Sequence, residues 1–274
     1  MPLPIVQVDA FTATPFRGNP AAVCVLDHPR EDTWMAAVAR EMNLSETAFL
    51  TPNHEDRGSF HLRWFTPAIE VALCGHATLA SAHVLWEDGR LAPHAEARFH
   101  TKSGILSCLK TGHWIEMDFP ATFVEPAPPP PQLAEALGAE LKFTGRSRFD
   151  YLVELESEQA VRALQPNHHL LRQLPVRGII VTARADAPNA HDYDFVSRFF
   201  APGSGIDEDP VTGSAHCALA PWWHEKLGKH EMTAYQASPR GGIVRLRYGL
   251  HQNADRVFLS GQAVTVLRGE LTAE

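Results

Sequence analysis

The chain has 274 residues, 45% of them hydrophobic and 20% charged, with a net charge of −8 at pH 7. This is ample material for a buried core, and the acidic balance excludes a basic nucleic-acid surface. The longest apolar runs, such as residues 21–26, fall far short of the roughly 20 residues that span a bilayer. Met1-Pro2-Leu3-Pro4 has no charged or apolar leader pattern. The four cysteines are too few for a disulfide scaffold and too far apart for a metal motif. Together these features predict an acidic, soluble, cytoplasmic protein that binds neither nucleic acid nor membrane.

Residues 4–9 and 21–26 read as strands, the second continuously apolar as a strand buried on both faces is. Over residues 31–42, Trp34, Val38 and Met42 recur at spacing four behind acidic Glu31 and Asp32, the pattern of an amphipathic helix. Ala48-Phe49-Leu50 begins another apolar strand. Residues 60–65 alternate as a strand, which Pro67 ends. A helix rich in small residues (Ala77, Ala80, Ser81, Ala82) follows at 75–87, then strands at 97–101, 104–110 and 113–118. The proline-rich stretch 120–131 cannot hold a helix or a central strand and predicts an extended connector. Beyond it come a strand at 150–155, a helix at 157–164, strands at 177–183 and 193–200, and a helix at 212–227. Strands at 242–248, 255–259 and 263–268 complete the chain. His168-His169 read as a solvated loop, and Trp222-Trp223 as capping the second long helix against the core.

The two halves resemble each other. Arg63-Trp64-Phe65-Thr66-Pro67 matches Arg198-Phe199-Phe200-Ala201-Pro202 at an offset of 135. Cys74-Gly75-His76-Ala77 matches Thr212-Gly213-Ser214-Ala215 at an offset of 138, with further identities at Ala80/Ala218 and Ala82/Ala220. Such a repeat points to a duplicated unit. Two similar domains are expected, 1–119 and 132–274, joined through 120–131, with residues 263–268 open to completing the first sheet. An alanine-lined helix packs very closely against its surroundings, which suggests an α+β fold of two sheets, each wrapped around one central helix.

Each repeated turn leaves a strand, reaches a glycine and enters a helix, whose first turn exposes unpaired N–H groups and suits a carboxylate. Gly75 and Gly213 equally well simply open tightly packed helices. His76 follows the first glycine and Asp209 precedes the second. Glu46 stands between the amphipathic helix and an apolar strand, a junction that desolvates a carboxyl and favours general acid–base work. The plainer readings are a structural histidine, a turn-initiating Asp209-Pro210 and a solvated loop carboxylate. No G-x-S-x-G elbow, Walker A loop or G-x-G-x-x-G fingerprint occurs. None of the fifteen histidines falls in H-E-x-x-H or a Cys/His cluster, so a metal site is unsupported.

Five segments in order, Asn19-Pro20-Ala21-Ala22-Val23, Leu44-Ser45-Glu46-Thr47-Ala48-Phe49, Phe65-Thr66-Pro67, Cys74-Gly75-His76-Ala77-Thr78 and Asp209-Pro210-Val211-Thr212-Gly213-Ser214-Ala215, resemble the phenazine-biosynthesis isomerase-like (PhzF-like) family. The resemblance implies the diaminopimelate-epimerase fold: two pseudo-symmetric α+β domains, each a mostly antiparallel sheet rolled around a central helix, with the active site between them. It also implies isomerisation of trans-2,3-dihydro-3-hydroxyanthranilate or another small carboxylate-bearing molecule, without cofactor, by a homodimer. Carried over by motif, Glu46 is the acid/base, His76 and Asp209 orient the substrate and tune proton transfer, and Ser45, Gly75, Gly213 and Ser214 contact it.

Epimerases of this fold use two cysteines, one at each pseudo-symmetric helix start. Cys74 occupies the first position, but Thr212 occupies the second and cannot exchange a carbon-bound proton. Cys217 lies more than a helical turn further on. A two-cysteine racemase is therefore not expected. The remaining alternatives are a metabolite-binding or regulatory protein without catalysis, and an epimerase pairing Cys74 with Glu46 or Asp209.

Overall fold

In the computed structural model, which describes residues 3–56, 58–187, 189, 191–249 and 255–272, the chain divides into two units. The first is Met1–Asp118 with Ser260–Glu274, the second Phe119–Leu259. The second half thus ends at Leu259, not at the C-terminus as a domain of 132–274 would require.

The first unit contains β1 (Leu3–Ala10), β2 (Asn19–Val25), α1 (Asp32–Met42), β3 (Glu46–Pro52), β4 (Ser59–Phe65), β5 (Glu70–Val71), α2 (Gly75–Glu87), β6 (Ala97–Thr101), β7 (Gly104–Thr111) and β8 (Trp114–Pro120). The second contains β9 (Glu125–Pro126), α3 (Leu133–Leu137), β10 (Phe143–Arg146), β11 (Asp150–Glu154), α4 (Glu158–Ala163), α5 (His168–Leu171), β12 (Gly178–Arg184) and β13 (Phe195–Ala201). It continues through β14 (Ile206–Asp209), α6 (Gly213–Leu227), β15 (Glu231–Gln236), β16 (Gly242–Tyr248) and β17 (Arg256–Gly261). The last strand, β18 (Ala263–Leu271), pairs antiparallel along the whole of β1, so the chain end builds the first unit's sheet.

The duplication is visible strand by strand. In the first unit β1 pairs antiparallel with β2, β2 parallel with β3, β3 antiparallel with β4, β4 parallel with β6, and β6 antiparallel with β7. In the second the series β10, β11, β12, β13, β15, β16 repeats that order of pairings. The short strands β5 and β14 sit on equivalent partners, β4 and β13.

Packing explains the runs of apolar residues. On β2, Ala22 and Cys24 turn toward the core beneath α1, which holds Met35, Val38 and Ala39. Ala21 and Val23 are equally buried on the opposite face, because strand side chains alternate. Trp34 of α1 meets Phe49 edge-on at 5.9 Å between centroids, and Phe49 meets Phe65 at 5.7 Å. Helix α2 lies against β1, β2, β3 and β18, and ten of its thirteen residues are buried, which makes it an interior helix with no solvent face to set a polar stripe. Its small residues Ala77, Ala80, Ser81 and Ala82 are fully buried and admit this close approach.

Helix α6 carries Pro221 in its interior, which deprives the Cys217 carbonyl of its helical donor. The N–H of Thr122 takes the place of that donor at 3.0 Å. The proline-rich stretch therefore belongs to the second unit's bonding, and its Glu125–Pro126 pairs with Arg146 and Gly145. Trp223 is buried, stacked on Phe195 and bonded through Nε1 to the Thr182 hydroxyl. His168 opens α5 instead of lying in a loop, its ring 6.1 Å from that of Phe200. Asn167 caps that turn by accepting from the Leu170 N–H.

Candidate active site

The motif residues fall into one cluster in each unit. In the first, Asn43 adopts a left-handed conformation (φ 50°) and closes α1 with its N–H on the Ala39 carbonyl. The chain reverses through Leu44 and half-buried Ser45, and Glu46 enters as the first residue of β3. Its parallel register opposite Ala21 puts it on the side of β2 and β3 away from α1. Glu46 is only 8% exposed.

Asn19 opens β2 and is fully buried. The glycine before it is dictated by sterics: Gly18 has φ +64°, and a Cβ there would lie 2.1 Å from the Ala10 carbonyl oxygen. No other residue places Asn19 this way without moving β1.

His76, buried in the first turn of α2, joins these elements. Its Nε2 lies 3.1 Å from Glu46 Oε2, an ion-pair distance whose angles fall outside hydrogen-bond geometry, and neither atom has a hydrogen-bond partner. Its Nδ1 lies 3.2 Å from Asn19 Nδ2 and 3.5 Å from Cys74 Sγ. Burial lowers the affinity of the ring for a proton, but the neighbouring Cys74 and Glu46 outweigh burial and hold His76 well above the ordinary imidazole value. The Cys74 thiol is itself pushed up, first by burial and then by the Glu46 charge.

Glu46, Cys74 and His76 offer three donor atoms within 4.8 Å of one another, a set that suits a borderline cation such as zinc. The imidazole, however, turns Nε2 to the carboxylate and Nδ1 to the sulfur. An ion on either nitrogen meets one of the other two donors as they stand, and the third would have to be re-aimed.

In the second unit Asp209 ends β14 and is 9% exposed. Thr212, the residue before α6, donates its hydroxyl to Asp209 Oδ2 at 2.6 Å. Gln236 of β15, fully buried, clamps the turn: its Nε2 donates to the Asp209 carbonyl at 2.7 Å and to Thr212 Oγ1 at 3.2 Å, and its Oε1 accepts the Thr212 N–H at 2.9 Å. Gly213 is buried and Ser214 half-buried at the start of α6. The two helix entries are alike in detail. The carbonyl of Cys74 accepts the hydroxyl of Thr78, and that of Thr212 accepts Nδ1–H of His216 at 2.8 Å. Neither helix has an acidic residue in its first turn, so its partial positive charge is not offset by its own side chains. Cys217 donates to the Gly213 carbonyl within α6.

Asn19 and Gln236 are not among the candidates read from sequence. A polar residue two positions before the apolar strand 21–26 is a signal for the first. Gln236 stands on a strand, 231–236, that the apolar pattern does not reveal. Elsewhere in the second unit, an open hollow of about 450 Å³ is lined by Glu158, Gln159, Arg162, Ala163, Asp186 and Asn189. Glu158 is already engaged there by Arg162, Tyr193, Asn189 and the Asp186 N–H.

The model of the phenazine biosynthesis-like protein family matches residues 8–269, and the chain belongs to that family. It is 54% identical, over 99% of each chain, to a Halalkalibacterium halodurans protein named as an uncharacterized isomerase. The crystal structure of a PhzF-family phenazine biosynthesis protein from Enterococcus faecalis superposes with a TM-score of 0.92 at 39% identity, covering all of both chains. A predicted epimerase from Pseudomonas aeruginosa shares the fold at TM-score 0.78 and 21% identity, over 99% of this chain and 100% of that one. Family and relatives together support an isomerase-type function.

Proposed function

We propose that the protein is a cofactor-independent isomerase that moves a proton between carbons of a small carboxylate-bearing substrate, as the resemblance to trans-2,3-dihydro-3-hydroxyanthranilate isomerase implies. The observation that carries this reading is Glu46: a buried carboxylate whose Oε2 has no hydrogen-bond partner and faces a buried imidazole. A carboxylate oxygen that no hydrogen bond occupies keeps a lone pair available for a proton on carbon.

In this scheme Glu46 removes a proton from one substrate carbon, the freed electron pair shifts into the adjoining unsaturated system, and Glu46 returns the proton to another carbon. No net oxidation occurs, so the step balances without a redox partner. His76 balances the charge of Glu46 through Nε2 and fixes the carboxylate's orientation. The N–H groups opening α2 and α6, at Gly75, Gly213 and Ser214, and the Ser45 hydroxyl favour the substrate carboxylate and the negative charge that develops. Asp209, held by Thr212 and Gln236, orients a polar substituent of the substrate. A cytoplasmic homodimer is part of the same reading.

An epimerase that sets Cys74 against Glu46 fits less well. Two bases that invert a carbon approach it from opposite sides, whereas these two converge on a single imidazole. Incubation with trans-2,3-dihydro-3-hydroxyanthranilate tests the proposal. Product formed by the wild type and lost in Glu46→Gln supports it. Equal turnover by both proteins contradicts it, and tight binding without turnover by either favours a metabolite-binding role.

A further inference from the structure

Helix α6 ends where two imidazoles meet. His224 lies in its last turn, and the helix closes on Gly228 in a left-handed conformation (φ 67°). The chain then turns through Lys229 to His230, just ahead of β15. The two rings stand 4.7 Å apart between centroids, at an interplanar angle of 43°. Each is fixed through Nδ1: that of His224 donates to the Lys229 carbonyl at 2.9 Å, and that of His230 to the Tyr248 carbonyl at 3.0 Å. The Tyr248 N–H returns a bond to the His230 carbonyl at 2.9 Å, so the backbone and the ring of His230 are both tied to β16. A carbonyl only accepts, so each Nδ1 carries the proton and, in the neutral ring, each Nε2 carries a lone pair. Neither Nε2 has a hydrogen-bond or ion-pair partner among the described residues.

We propose that His224 and His230 form a site for a borderline divalent cation such as zinc, each supplying Nε2, with water completing the coordination. Imidazoles that bind a metal donate their other ring N–H to a carbonyl, carboxylate or water, which fixes the tautomer and the orientation of the ring. Both rings here already do so. Two imidazoles on one tetrahedral ion, at Zn–N distances of roughly 2.0–2.1 Å, place their centroids about 5 Å apart, close to the separation observed. The five residues between them give the H-x5-H spacing of structural zinc sites, without the cysteine pair that accompanies it there. Gly249 keeps the space beside the rings clear: a Cβ on it would lie 3.2 Å from His230 Nδ1 and 3.4 Å from His224 Nε2. Lys229, between the two histidines, is paired with Asp194, which offsets its charge. In the Glu46, Cys74 and His76 set one imidazole must serve two donors through different nitrogens, whereas here two imidazoles each offer one. A bound ion would fasten the end of α6 to the β15–β16 pair and stabilise the folded second unit.

The test is a titration of the full chain with Zn2+, followed by 15N NMR of the histidine rings and by calorimetry. It compares wild type, His224→Gln, His230→Gln and Cys74→Ser, with thermal melts in the absence of metal to verify folding. Zinc is expected to shift the Nε2 resonances of His224 and His230 together and to raise the melting temperature of the wild type. Either glutamine variant should weaken binding by at least about tenfold, the loss that removing even an outer-shell partner brings. Cys74→Ser should bind as the wild type does. Zinc that leaves both wild-type rings unmoved overturns the proposal, and this readout stands even if a variant fails to fold. Binding lost in Cys74→Ser and kept in both glutamine variants also overturns it, because the ion would then lie at Glu46, Cys74 and His76.

Discussion

Glu46 Oε2 and His76 Nε2 lie 3.1 Å apart in the buried interior of the first unit, one from the start of a strand and the other from the start of a helix. Neither atom is spent on a hydrogen bond. Such a pair is costly to bury and is retained where its charge is used. Replacing Glu46 by Gln keeps the shape and removes the charge. Turnover should fall by about two to four orders of magnitude, the usual contribution of a positioned acid/base, while circular dichroism and the melting profile remain those of a folded protein. The same variant should lower the pH at which His76 deprotonates, since the Glu46 charge holds its proton.

Gly18→Ala should be among the most damaging single-methyl changes in the chain. The added Cβ would meet the Ala10 carbonyl oxygen at 2.1 Å, in a backbone conformation with φ +64°. Strain of this kind costs on the order of 1–3 kcal/mol before the clash is counted. Chemical denaturation should show a loss of at least that size, and catalysis should fall further because Asn19 is displaced from His76.

Gln236→Leu fills the same space without its three hydrogen bonds. The Thr212 N–H and the Asp209 carbonyl are left without Gln236, at about 1–3 kcal/mol for each unsatisfied group. Stability should drop measurably in urea, and the KM for substrate should rise if Asp209 orients it. A loss of stability with unchanged kinetics would confine Gln236 to a structural part.

Two histidines set opposite slopes of stability with pH. Burial pushes His216 down to about 4 against an unfolded value near 6.5, so the folded state refuses a proton that the unfolded chain accepts. Its contribution is intact above the unfolded value and is lost as pH falls from about 6.5 towards 4, reaching about 3 kcal/mol. His83 is also lowered, by burial first, and adds to this slope. His76 is raised, so its contribution is present below the unfolded value and fades as pH rises through the folded one. Unfolding free energies measured from pH 4 to 8 should show a flatter acid slope in His216→Asn than in wild type. In His76→Gln the acid slope should be unchanged, and the loss of stability that the wild type shows as pH rises above about 6.5 should be reduced.

Much of the architecture is legible in the residues themselves. The apolar continuity of 21–26 marks a strand buried on both faces, and the alanine-rich run 75–87 marks an interior helix, because only small side chains permit such close packing. The Gly75/Gly213 repeat corresponds to two equivalent helix entries. What the pattern conceals is set by distant partners. The strands 143–146 and 231–236 are short and mixed in polarity, and their pairing supplies what local propensity does not. The attachment of β18 to β1 joins residues separated by nearly the whole chain. At the candidate site, Glu46 and His76 stand out by motif. The positions of Asn19 and Cys74 at Nδ1, and of Gln236 beneath Asp209, arise only when separate elements pack together.

The central claim is proton transfer to carbon by Glu46, and its most direct measurement is deuterium incorporation. The protein would be incubated in heavy water with trans-2,3-dihydro-3-hydroxyanthranilate and a panel of small amino and hydroxy acids, with wild type beside Glu46→Gln, and the carbon positions followed by NMR. Deuterium entering a substrate carbon with wild type and not with Glu46→Gln is the result expected. Equal incorporation by both proteins, or substrate binding with no incorporation by the wild type, would contradict it.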